Sequence, residues 1–247
     1  MLNMLHHIGK YFMMIGGALS RPEKWRIYLS RTIVEIDKIG LSSLGIVALM
    51  SLFMGAVIAL QTASNIDSPL IPSYTVGFTT RQSILLEFSP TIICLILAGK
   101  VGSNIASELG TMRISEQIDA LDIMGINSRA YLIAPKIMAS IFIFPFLIVF
   151  SMFLGILGGW LVCYVSGIVA PPDYVEGLLL DFKPFHVTYA LVKTVLFAFI
   201  ITTISSYHGY YTKGGAIAVG ASSTQAVVYS SILILIVNYI VTQLILI

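Results

Sequence analysis

Glu87, Lys100 and Lys193 are ionisable residues set inside, or at the ends of, long apolar runs. A charge in such a place is expensive unless it is paired, hydrated or part of a pathway, so each is a candidate site by default. A second group, Glu108, Arg113, Glu116 and Asp119, crowds into the one long stretch rich in both charge and small residues, Ala98 to Pro135. Bond-making chemistry is not what these residues suggest. Gly99-Lys100 lacks the earlier glycine and the following Ser or Thr of a phosphate loop, and no GxGxxG occurs. His6 and His7 have no partner at metal-ligand spacing and read as polar groups at a membrane interface. The Ser and His residues form no recognisable nucleophile arrangement, and Ser107-Glu108 reads as part of a packed helix end. The sequence therefore predicts no catalytic residue, no metal and no cofactor. ATP energy, if used, has to enter through another subunit.

The elements that position these groups follow from composition. Of 247 residues, 57% are hydrophobic and 11% charged, against about 25% charged in a soluble domain. The fold class expected is an all-α integral membrane protein, long enough for several spans but without room for a sizeable soluble domain. A net charge of +2 indicates no nucleic-acid partner. Cys94 and Cys163 lie in apolar runs and read as small buried hydrophobes. The N-terminus lacks the pattern of a secretory signal or a transit peptide, so no removed leader is expected.

In chain order, Leu5, Ile8, Phe12, Ile15 and Leu19 recur at helical spacing, and a second amphipathic pattern from Trp25 to Lys38 puts Arg31, Glu35 and Lys38 on its polar side. Arg21-Pro22 reads as a turn between them, making residues 1–38 an interfacial, cytoplasmic region ahead of a transmembrane domain, 39–247. Leu41 to Gln61 suits the first span, and Pro69 and Pro72 mark the connector after it. A second span is expected from about Gln82 to Ser107. Ile137 to Pro172 is uncharged for 36 residues; one long tilted span, with Pro145 as a kink site and Gly155/Gly159 as a packing pair, is preferred to a re-entrant hairpin. Polar PPDYVEGLLLDFKP precedes a fourth span near Phe185 to Tyr207, and a Gly/Ser segment, Gly209 to Thr224, leads to a fifth, Gln225 to Leu246.

Within the polar stretch, Ala98, Gly102 and Ala106 share one helical face, while Lys100, Asn104 and Glu108 lie roughly opposite. A short helix then follows, with Ser115 able to cap it, Glu116 in its first turn and Gly125 able to stop it. Ile114, Ile118 and Leu121 share one of its faces, and Glu116, Asp119 and Ile123 the other. It is amphipathic and too short to span, as a docking element would be; a solvated loop is the plain alternative.

AGKVGSNIASELGTMRISEQIDALDIMGIN resembles the signature segment of the MlaE (YrbE) family of ABC-transporter permeases. LLEFSPTI, Leu85 to Ile92, is similar to that family's RELGP-containing segment, and HGYYTKGGAIAVGASSTQAVV, His208 to Val228, to its Gly-rich segment before the last span. Leu86 stands where the family often has Arg, and Phe88-Ser89 replace Leu-Gly. The resemblance implies a homodimeric permease of the bacterial inner membrane that moves phospholipids or similar molecules. It also implies two copies of a cytoplasmic ABC ATPase and a periplasmic MCE-domain protein as partners. On that reading the segment 108–130 couples to the ATPase, through Glu108, Arg113, Glu116, Gln117, Asp119, Ala120 and Ile123. Gln61, Glu87 and Pro90, the polar or helix-perturbing residues at the outer half of spans one and two, are the candidate lipid pathway.

Two other readings stand beside this one. A self-sufficient transporter or channel would use Glu87, Lys100 and Lys193 as a charge relay, but would need paired broken helices or an internal repeat, and neither is visible. A membrane scaffold without transport activity is the other. Orientation follows from the basic residues: six precede span one, four lie from Lys100 to Lys136 and Lys213 precedes span five, against Arg81 and Lys183 on the other side. The rule that basic loops stay inside predicts a cytoplasmic N-terminus and an outer C-terminus. A topology reporter fused after Ile247 is expected to be active only outside the cytoplasm; activity inside would mean the span count is wrong by one.

Overall fold

The computed structural model describes residues 2–19, 25–66 and 71–245. In chain order these form α1 (Leu2–Leu19), α2 (Trp25–Ser64), α3 (Thr75–Ile114), α4 (Gln117–Ile123), α5 (Ser128–Ser166), α6 (Pro171–Leu179), α7 (Phe185–Tyr210) and α8 (Ala216–Ile245). Five of them, α2, α3, α5, α7 and α8, are long and apolar enough to cross a bilayer. The chain is thus an all-α, multi-pass membrane protein, as its composition requires. Helices are the economical choice there, because each satisfies its own backbone where no water can.

Several boundaries differ from those expected. Trp25 to Lys38 is not a separate surface helix: it continues without a break into the first span, since no Gly or Pro interrupts Arg26 to Ile39. The second span is longer than 82–107 and contains two π-helical stretches, Ile84–Ile92 and Ala98–Gly102. Residues 137–172 hold one long helix, not a hairpin; α5 passes through Pro145 and ends at Ser166, before Gly167 at φ +65°. Inside the polar connector that follows, Pro171 and Pro172 start a further short helix, α6. The last span begins at Ala216, so much of the Gly/Ser segment is helical. The turn at Arg21-Pro22 and Pro69 lie outside the described residues.

The chain forms two compact units. One comprises Met1–Ser42, Leu95–Ile143 and Leu196–Ile240, the other Ser43–Cys94, Phe144–Val195 and Val241–Ile247. In the second unit α2 and α5 meet backbone to backbone: a Cβ at Gly55 would collide with the Gly155 carbonyl, and one at Gly158 with the Leu52 carbonyl. The glycine pair of α5 therefore packs against a span of the same chain. Ser51, Ser151 and Ser89 form a buried hydroxyl chain across α2, α5 and α3, with O···O distances of 2.8 and 3.1 Å. Tyr174 of α6 sits in a core with Ala59, Val76, Cys163 and Val169. Its phenol, pushed up by burial, stays a neutral donor to the Ile156 carbonyl at 3.3 Å. In the first unit Gly102 faces Ile201 and Ser205, and Gly209 abuts the Ala106 backbone. The small-residue face of α3 is thus a helix contact, while Cys94 and Cys163 are buried free thiols.

Gly55→Val is expected to lower the thermal stability of the detergent-purified chain by about 1–3 kcal/mol, the usual cost of overpacking. Gly45→Val, at a helical glycine with nothing within 4 Å of its Cβ position, is the control and should change it far less. Equal effects would show that the α2/α5 contact is not tight.

Candidate functional site

The intramembrane charges are organised by a proline. Pro90 has no N–H to give the Leu86 carbonyl four residues earlier, and its ring crowds that carbonyl. The helix widens around it into π-form over Ile84–Ile92, where the Ile93 amide donates to the Phe88 carbonyl, five residues back. Lys193 on α7 reaches the freed site: its Nζ donates to the Leu86 carbonyl at 3.4 Å and to Glu87 Oε1 at 2.8 Å. Thr91 Oγ1 donates to Glu87 Oε2 at 3.0 Å, and the Lys193 ammonium lies 4.5 Å from the centre of the Tyr189 ring. Lys193 is wholly buried, whereas the Glu87 side chain is 42% exposed. The pair therefore has one inaccessible cation and one carboxylate that a polar group can approach.

Glu87 does not pair with Arg81. That guanidinium is buried and donates to the carbonyls of Leu178, Leu180 and Asp181 at 2.6, 2.9 and 3.4 Å, holding the C-terminal end of α6. Lys100 belongs to the other unit, where its Nζ donates to the Ser42 carbonyl. Gln61 is exposed near the end of α2, and Pro90 is buried.

The short helix also departs in detail from its sequence reading. Ser115 does not cap it: the Ser115 hydroxyl donates to the Thr111 carbonyl at 2.8 Å and closes α3 instead. Glu116 precedes the first turn in a left-handed conformation, φ +59°, and Gly125 at φ +77° ends the segment. Ile118 is fully buried, with Ile114 and Leu121 half-buried beside it. Asp119 is not free, because Arg113 Nη1 donates to its Oδ1 at 2.7 Å. Glu116, Gln117 and Ala120 are exposed, and Ile123 is 86% exposed.

Glu108 has a different occupation from these. Lys136, buried, donates to Glu108 Oε2 at 2.6 Å and to both oxygens of Glu35 at 2.9 Å, and Lys38 approaches Glu108 Oε1 at 3.4 Å. This network, joining α2, α3 and α5, was not anticipated. Its only sequence signal is Lys136 standing alone at the edge of an uncharged run. His7 likewise has a partner, its Nδ1 lying 2.6 Å from the Tyr207 hydroxyl.

Five apolar spans with a buried ion pair between two of them define a polytopic membrane protein. Residues 32–244 match the MlaE permease family, and the chain belongs to it. It is 37% identical to a probable ABC transporter permease protein of Rickettsia bellii, over 98% of this chain and 93% of that one. A probable ABC transporter permease protein of Synechocystis is 30% identical over 94% of this chain and 88% of its own length. The intermembrane phospholipid transport system permease protein MlaE of Haemophilus influenzae is 26% identical, over 94% and 89%.

The unequal burial of the ion pair gives a test. Glu87→Gln leaves a buried ammonium without its counter-ion and is expected to destabilise the chain by about 3 kcal/mol, the low end for a broken buried pair. Lys193→Met leaves a half-exposed carboxylate that keeps its Thr91 donor, so it should cost less, and the double variant should recover most of the loss. Thermal unfolding in detergent measures all three; a Lys193→Met variant less stable than Glu87→Gln would reverse the assignment.

Proposed function

We propose that this chain is the membrane subunit of an ABC transporter that moves phospholipids, or molecules of similar hydrophobicity, across or out of a bacterial inner membrane. The family match over residues 32–244 carries this reading. Two copies of the chain, a cytoplasmic ABC ATPase and a periplasmic MCE-domain protein make up the machine. Energy enters through α4, because the chain has no phosphate loop of its own. Ile123 and the Glu116–Gln117 edge are the docking face, and Arg113 and Asp119 brace the helix from behind. Lipid passes near Gln61, Glu87 and Pro90, where the half-exposed Glu87 carboxylate offers an acceptor to a headgroup.

Ile123→Asp tests the docking. The side chain touches little in the chain itself, so folding of the isolated permease should be unchanged. A carboxylate forced into an apolar contact should reduce ATPase co-purification and lipid transport at least tenfold. Retention of both at the parent level would sink the assignment of α4.

A further inference from the structure

A cleft of about 580 Å³ lies between α1, α7 and α8, within the size range of small-molecule sites. Its floor is aliphatic, from Ile8, Ile204, Ile232 and Leu233. Its rim is aromatic and polar: the His208 ring stacks on Tyr229 at 5.2 Å, and His7 Nδ1 shares its hydrogen bond with Tyr207, which leaves the Nε2 edge of an exposed ring to meet a ligand. Lys10, one turn along α1 from His7, holds its ammonium 5.7 Å from the centre of the Tyr211 ring. None of the three walling helices contains a single Asp or Glu. The cleft therefore offers an apolar trough and imidazoles, with the Lys10 ammonium one turn beyond the residues that line it and no carboxylate on its walls.

We propose that this cleft binds an anionic phospholipid, with an acyl chain along Ile204, Ile232 and Leu233 and the headgroup phosphate against His7 and Lys10. The complement of an apolar trough edged by imidazole and phenol groups, with an ammonium close by and no acidic residue, is an amphiphile with a negative head. Every residue that lines the cleft belongs to the first unit, and Glu87 and Lys193 belong to the second. The cleft holds a lipid that stays in place, pinning α1 against α7 and α8, and does not depend on which subunit powers transport.

Two measurements on the full-length chain test this. In native mass spectrometry from detergent, phosphatidylglycerol should be retained at about tenfold lower concentration than phosphatidylcholine with the same acyl chains. A benzoylphenylalanine photo-crosslinker replacing Ile232 should capture phosphatidylglycerol, with capture reduced about tenfold by His7→Ala together with Lys10→Ala. The crosslinker leaves the rim residues unchanged, so it reads the site even if the double variant fails to fold. Equal retention of the two lipids overturns the proposal, as does a preference that survives in the folded double variant. Capture of polypeptide without lipid at position 232 would assign the cleft to a protein partner. Full displacement of the lipid by millimolar inorganic phosphate would mean a free-anion site. Either result overturns the proposal.

Discussion

Hydrocarbon offers no water to a polar group, so each one placed there must find its partner within the protein. Much of the architecture answers that constraint. Thr194, Thr202 and Thr203 turn their hydroxyls onto carbonyls one turn back along α7. Arg81 spends its two terminal nitrogens on three carbonyls at the end of α6. Pro90 creates the most demanding case, since it removes a donor from the middle of a span; widening of the helix and the Lys193 ammonium together meet the need. Glu87 then serves as the counter-ion that makes a fully buried lysine tolerable.

Close approach of helices is the second consequence. Apolar side chains gain little by leaving lipid for one another, so helices in a bilayer associate through backbone contact and dispersion. The seam of Gly55, Gly155 and Gly158 brings α2 and α5 to backbone contact, and Gly77 and Gly177 do the same for α3 and α6, against the carbonyls of Tyr174 and Tyr74. A hydroxyl chain through Ser51, Ser151 and Ser89 runs where those helices are close. Small side chains are thus what allows short polar ones to reach each other.

The sequence made legible what depends on composition and local spacing: five spans, the buried thiols, the small-residue face of Ala98, Gly102 and Ala106, and the family. It hid what depends on residues far apart in the chain. Lys136 meets Glu35 and Glu108 across 101 and 28 residues, and Lys193 meets Glu87 across 106; periodicity within one helix carries no trace of such pairs. Helix boundaries failed for a local reason. A polar segment such as Trp25 to Lys38 looks like a surface element, yet nothing in it stops a helix, so it propagates into the span. Ser115 had the right residue type for a cap, but a serine at a helix junction can equally close the helix before it, and here it does.

These contacts also explain how a helix as short as α4 can be held firmly. Seven residues cannot sustain a helix alone. Ile118 anchors α4 by burial, Arg113 binds it to the last turn of α3, and the left-handed Glu116 sets a fixed angle between the two. The helix is therefore fixed to the end of α3, with Ile123 on its exposed side. Two turns back along α3, Glu108 is tied through Lys136 to Glu35 on α2, and Lys136 itself belongs to α5. Removing Lys136 would leave Glu35 without this cation and Glu108 with only the exposed Lys38, so this junction resists coming apart more strongly than an exposed ion pair would. The three longest helices of the chain meet at that lysine, and α4 is joined to them through the same segment of α3.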